Sequence, residues 1–166
     1  MSQELTFRLT KEEDAPLLKS WLLSPGVLNW FPLVTDREID DSIRFWMTFL
    51  DKKCSITTCL GNTPVGMSNL YLQNYEKVKH QTLFVICGNP EYYNRGYGAA
   101  LLKYMIQLAE KEFGITLLHL EVYEGNPAIR LYERLGFEKY GCHKRFLKDQ
   151  NGAYRDKILM QKKLGL

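Results

Sequence analysis

The apolar positions change period several times along the chain, and each change marks an element. Leu5-Thr-Phe-Arg-Leu9 alternates apolar with polar residues, as a half-buried strand does. Thr10 and Glu13 then stand in the S/T-x-x-E spacing of a capping box, in which the two side chains satisfy free backbone amides at a helix start. A helix is expected from there to about Leu22. Ser24-Pro25-Gly26 interrupts it, and the apolar loop Trp30-Phe31-Pro32 leads to a second box, Thr35 with Glu38, and a helix to about Leu50.

Residues 54–60 and 65–72 are β-prone and flank Gly61-Asn62-Thr63-Pro64, a hairpin signal, so they should pair antiparallel. Residues 82–87 are almost entirely apolar, which suits a central strand covered on both faces. From Gly96 to about Phe113, Leu101, Leu102, Met105, Ile106, Leu108 and Ala109 recur at helical spacing, and Gly114 occupies the place of a C-terminal cap. Residues 115–123 read as a strand and residues 127–135 as a helix stopped at Gly136. Residues 137–147 and 154–163 flank a turn containing Asn151-Gly152. The strand–helix–strand unit implies a right-handed crossover and a parallel pair. An α/β (α+β) fold is expected, with a mixed, mostly antiparallel sheet of about seven strands flanked by about four helices.

Length and composition narrow the class of protein. With 166 residues, 45% hydrophobic and 25% charged, residues 1–166 are expected to form one globular domain. A formal charge of +3 is too small to imply a nucleic-acid partner, which is not expected. The N-terminal segment has no basic region followed by an apolar run, and no stretch approaches the roughly 18 apolar residues of a membrane span. A cytoplasmic protein without a membrane partner is the expectation. Cys54, Cys59, Cys87 and Cys142 form no C-x-x-C pair, so neither a metal site nor a disulfide framework is suggested.

Candidate chemistry begins between the apolar strand and the long helix, at Asn94-Arg-Gly-Tyr-Gly-Ala99. Gly96 and Gly98 lack a Cβ, so the backbone can approach a ligand closely and amides at the helix start can converge on one anion. Arg95 adds a cation at the mouth. Glycines that merely permit a tight turn give the same pattern, and G-x-G alone is a weak signal. A dinucleotide fingerprint would need a third glycine where Leu101 stands, and a Walker A loop would need a following Gly-Lys-Ser/Thr.

The segment Leu120-Glu-Val-Tyr-Glu-Gly-Asn-Pro-Ala-Ile-Arg-Leu-Tyr-Glu-Arg-Leu-Gly-Phe137 points further. Together with the turn it resembles the GNAT N-acetyltransferase family, whose patterns are R/Q-x-x-G-x-G/A and, downstream, V-x-x-x-N-x-x-A-x-x-L-Y-x-x-x-G-F. Val122, Asn126, Leu131, Tyr132, Gly136 and Phe137 carry the second pattern, with Ala128 falling one residue early. Tyr93 stands where the family usually has Arg or Gln, which weakens one side-chain contact and leaves the amide cradle intact. The likeness is strong over residues 80–140, and closest in pattern to the branch acetylating ribosomal-protein N-termini.

The resemblance implies a GNAT fold, acetyl-CoA as co-substrate, no metal, and direct transfer to a primary amine in a ternary complex. It places the CoA pyrophosphate on Asn94, Arg95, Gly96, Tyr97, Gly98 and Ala99. Family members splay two parallel strands to admit pantetheine, so that an amide near Ile86 or Cys87 polarises the thioester carbonyl; direct transfer argues against Cys87 as a nucleophile. Asn126 would bond the pantetheine arm or fix the strand-to-helix turn, and Tyr132 would protonate the departing sulfur. Period-two alternation puts His119, Glu121 and Tyr123 on the face opposite Leu118, Leu120 and Val122. A carboxylate in a central strand is costly unless exposed in a cleft or paired, so Glu121 is either the general base or a salt-bridged structural residue. The acceptor implied is a peptide N-terminus, a polyamine or an aminoglycoside-like amine. The acidic cluster Asp36, Glu38, Asp40 and Asp41 suits a cationic acceptor or simply a helix N-terminus. A monomer or homodimer is expected, and a non-catalytic acyl-CoA-binding module is the alternative.

Overall fold

The computed structural model describes residues 2–165. Its strands are β1 (Leu5–Leu9), β2 (Ser55–Leu60), β3 (Thr63–Leu72), β4 (Gln81–Gly88), β5 (Leu117–Tyr123), β6 (Glu138–Lys148) and β7 (Tyr154–Lys163). Its α-helices among the described residues are α1 (Ala15–Leu22), α2 (Asp36–Met47), α3 (Tyr97–Phe113) and α4 (Ala128–Arg134). The strands form one seven-stranded sheet in the order β1-β2-β3-β4-β5-β7-β6. β1–β2, β2–β3, β5–β7 and β6–β7 pair antiparallel, whereas β4 and β5 run parallel with Gln81 opposite Leu117 and Leu83 opposite His119. The mixed sheet and the crossover through α3 are therefore as the periodicity predicts.

The chain divides into two compact units, Met1–Tyr71 with Val85–Leu108, and Leu72–Phe84 with Ala109–Leu166. In the first, α1 and α2 bury Leu18, Trp21, Leu22, Ile39, Ile43 and Trp46 in one cluster with Met67 and Cys87. Of the capping box expected at Thr10 and Glu13 only the carboxylate half forms, one residue later, with a backbone bond in place of the other. The Lys11 amide donates to the Asp14 carboxylate at 2.9 Å, and the Asp14 amide to the Lys11 carbonyl at 3.0 Å. Two interactions decide the shift. Arg8 on β1 holds both Asp14 oxygens at 2.8 and 2.9 Å, while Thr10 turns inward, its hydroxyl 3.0 Å from that of Thr57. The box at Thr35 and Glu38 forms as expected, with Thr35 N donating to Glu38 Oε2 at 2.8 Å and Glu38 N to Thr35 Oγ1 at 3.2 Å. The helix it opens ends at Met47, short of Leu50, where the Thr48 hydroxyl donates to the Phe45 carbonyl at 2.6 Å and competes with the helical ladder.

In the second unit β5 buries Leu118, Leu120 and Val122 and leaves Glu121 exposed, matching the alternation. Tyr123 is nonetheless buried as well, with its ring 6.3 Å from that of Phe146. The β6–β7 turn is fixed by Asp149, whose Oδ1 accepts the amides of Asn151 and Ala153, each at 2.9 Å, and by Gly152 at φ 83°.

Candidate active site

The turn after β4 is shaped by two left-handed residues, Asn94 at φ 62° and Gly96 at φ 85°. Asn89 opens the segment, its side chain accepting the Glu91 amide at 3.1 Å. The first α3 amide with a helical acceptor is that of Ala100, donating to Gly96 at 3.1 Å. An α-helix leaves the preceding first-turn amides without intrahelical partners. A Cβ placed at Gly96 or at Gly98 would meet no atom within 4 Å, so neither glycine is required by packing. Arg95 is exposed beside it, its guanidinium 5.2 Å from the centre of the Tyr92 ring. Bare glycine backbone, first-turn amides, the helix dipole and one cation together fit a diphosphate. Tyr93 packs its ring against Gly88, and Arg95, Gly98 and Ala100 also stand in the R/Q-x-x-G-x-G/A spacing.

Ile86 and Cys87 lie at the end of β4. Asn89 N donates to Val65 O at 2.9 Å, toward β3. Backbone groups alternate in direction along a strand, which aims the amides of Ile86 and Gly88 away from β3. The Cys87 side chain is 3% exposed, and burial pushes its thiol up to about 12.

The remaining sequence-derived residues fall in the second unit. Asn126 caps α4, its Oδ1 accepting the Ala128 amide at 2.9 Å, and the preceding Gly125 takes φ 86° to make the turn. Tyr132 is 7% exposed and sits edge-on between Phe84 and Phe137, with ring centres 6.2 and 6.1 Å away. Burial pushes its phenol up to about 12, so it is protonated at neutral pH. The Glu121 carboxylate, 45% exposed, receives Lys157 Nζ at 3.1 Å, and Lys157 also lies 3.7 Å from the centre of the Phe146 ring. Lys157 was not among the residues singled out from the sequence. It meets Glu121 through the long-range β5–β7 register, in which Lys157 opposes Tyr123, and the Asn151-Gly152 turn, which joins β6 to β7, does not set that register.

Three of the four acidic residues of α2 are engaged locally. Glu38 accepts the amides of Val34 and Thr35, Asp40 pairs with Lys19 at 2.7 Å, and Asp41 pairs with Arg44 at 2.7 Å. Among the described residues no helix is long and apolar enough to cross a membrane, and no three His, Cys, Asp or Glu residues converge as a metal site.

Comparison with known proteins identifies the family. A model of the Acetyltransferase (GNAT) family matches residues 18–137, most of the sequence, and the chain belongs to that family. L-amino acid N-acetyltransferase AaaT of Escherichia coli (strain K12) is 30% identical over 106 residues, 63% of this chain and 65% of that protein. Ribosomal protein bS18-alanine N-acetyltransferase of Haemophilus influenzae is 39% identical over 80 residues, 48% of this chain and 53% of that protein. The matched segments thus span less than two thirds of either relative. An acetyltransferase structure from Salmonella typhimurium with its cofactor acetyl-CoA shares the fold, with a TM-score of 0.80 at 18% identity over 97% of this chain and 94% of that one.

Proposed function

We propose that this protein transfers the acetyl group of acetyl-CoA directly to a primary amine. The observation that carries the proposal is the left-handed turn at Asn94 and Gly96 leading into α3, whose first helical amide bond is that of Ala100, so that the amides of residues 97–99 are left for an anion where the family pattern has its glycines. Acetyl-CoA supplies the activated thioester; this chain supplies position and protons. Amides of residues 97–99 hold the pyrophosphate, helped by Arg95 and flanked by Asn94, while Asn126 shapes the turn that leads into α4. Of the two amides at the end of β4, that of Ile86 is the better directed to polarise the thioester carbonyl, with Cys87 next to it. Tyr132, held protonated by burial, is suited to give its phenolic proton to the leaving sulfur. Glu121 keeps nearly half its side chain in solvent, where it can take a proton from the incoming ammonium, directly or through water. The acceptor is an amino acid or a peptide N-terminus, as the names of the two relatives suggest.

Incubation with acetyl-CoA and a panel of amino acids, short peptides and other primary amines, read by release of the CoA thiol, tests the proposal. Turnover dependent on the amine is expected. Tight acetyl-CoA binding without any thiol release would instead support an acyl-CoA-binding module.

A further inference from the structure

The β6–β7 hairpin, residues 138–163, is charged unlike the rest of the chain. It holds eight Lys and Arg against three Asp and Glu, a net +5 where the whole chain carries +3. Two of its acids are committed. Asp149 accepts the turn amides, and Asp156 binds the Lys144 ammonium at 3.0 Å and the Arg145 amide at 2.9 Å. Arg145 and Lys148, both exposed, pair with no carboxylate among the described residues. They lie instead against the exposed ring of Tyr154, with Arg145 Cζ 4.1 Å and Lys148 Nζ 5.8 Å from its centre.

The backbone presents Arg145 at a cost. In β6, residues 144–146 bulge opposite Asp156 alone, and Arg145 within the bulge takes φ 53°. A side chain is strained in that left-handed region, where Gly or Asn sits more easily. Strain kept at an exposed position points to a use for the side chain. The bulge also adjoins the proposed base. Phe146, its last residue, has its ring centre 3.7 Å from Lys157 Nζ, which in turn lies 3.1 Å from Glu121 Oε2. An acceptor whose amine reaches Glu121 and whose chain runs outward over the hairpin, at about 3.3–3.6 Å per extended residue, meets these cations within its first few residues.

We infer that Arg145 and Lys148 read acidic side chains of the acceptor, so that the substrates are peptides or protein N-termini with Asp or Glu shortly after the first residue. The inference rests on the transferase function proposed above. Single-stranded nucleic acid would also be drawn to the charge, but it binds by stacking on aromatic rings as well, and here Tyr154 carries Arg145 and Phe146 carries Lys157.

The experiment compares kcat/KM, read by release of the CoA thiol, for peptides that share their first two residues and continue with glutamates, glutamines or lysines. Two exposed ion pairs are together worth on the order of 2- to 30-fold, so the glutamate peptide should exceed the glutamine peptide by that factor at low salt. The ratio should approach one as salt screens the pairs. It should also fall toward one in the double variant Arg145→Asn with Lys148→Gln, in which asparagine suits the left-handed backbone at position 145. If that variant does not fold, the salt dependence of the wild-type ratio decides. A glutamine or lysine peptide used as well as the glutamate one, or a glutamate preference that persists in the double variant, overturns the inference and leaves the transferase function standing. So does acetylation of free amino acids alone. A single-stranded oligonucleotide bound more tightly than the glutamate peptide, and released in the double variant, assigns the cations to nucleic acid and overturns it likewise. Acetylation of no amine overturns both.

Discussion

At the scale of single residues, the environment of Tyr132 sets what it can do. Packed between Phe84 and Phe137, its phenol can give a proton but holds it at neutral pH. Tyr132→Phe should lower kcat by roughly 10²–10⁴-fold with little change in acetyl-CoA affinity, as expected for general acid catalysis. The wild-type pH–rate profile should show no alkaline fall from this group below about pH 11. An unchanged kcat in the variant would remove Tyr132 from the mechanism. The place of Tyr132 was legible in the sequence because Asn126, Leu131, Tyr132, Gly136 and Phe137 keep a fixed spacing through a single turn and helix. The pairing of Glu121 was not legible, since Lys157 is distant in sequence and meets it only through strand register.

At the scale of elements, the first turn of α3 separates a ligand requirement from a folding requirement. Gly96 needs its positive φ, so any side chain there strains the backbone. Gly98 has no such φ, and a Cβ there meets nothing. Gly98→Ala should therefore leave stability unchanged or raise it by about 0.4–1 kcal/mol, while weakening acetyl-CoA binding through its approach to the pyrophosphate. Thermal denaturation and calorimetry on the same sample measure the two effects, and equal affinity in variant and wild type would dissociate the turn from CoA. Element positions were largely readable, because each carries its own punctuation: Gly114 and Gly136 after helices, Asn151-Gly152 between strands. The start of the first helix was misplaced because a local S/T-x-x-E pattern competes with a tertiary partner, Arg8, that favours Asp14 as the capping carboxylate.

At the scale of the whole molecule, that same carboxylate ties stability to pH. Burial alone would raise the pKa of Asp14, but hydrogen bonds from Arg8, the Lys11 amide and Thr57 outweigh it and hold the group below its ordinary value. A lowered folded pKa means that the stabilisation is complete above the ordinary carboxylate range and is lost as pH falls through the folded value. Unfolding free energy should accordingly fall below about pH 4, and Asp14→Asn should flatten that fall. The variant should cost less than the roughly 3–5 kcal/mol of a fully buried pair, because Arg8 keeps a third of its side chain in solvent. Denaturant titrations from pH 3 to pH 7 measure both. Cys87 carries a different consequence. A reactive thiolate beside an acetyl thioester would intercept the acyl group by exchange and strand it on the protein. Sealed in the core and kept as a thiol, Cys87 would leave the donor of the proposed reaction to the amine, and the folded protein should resist alkylating reagents at this position.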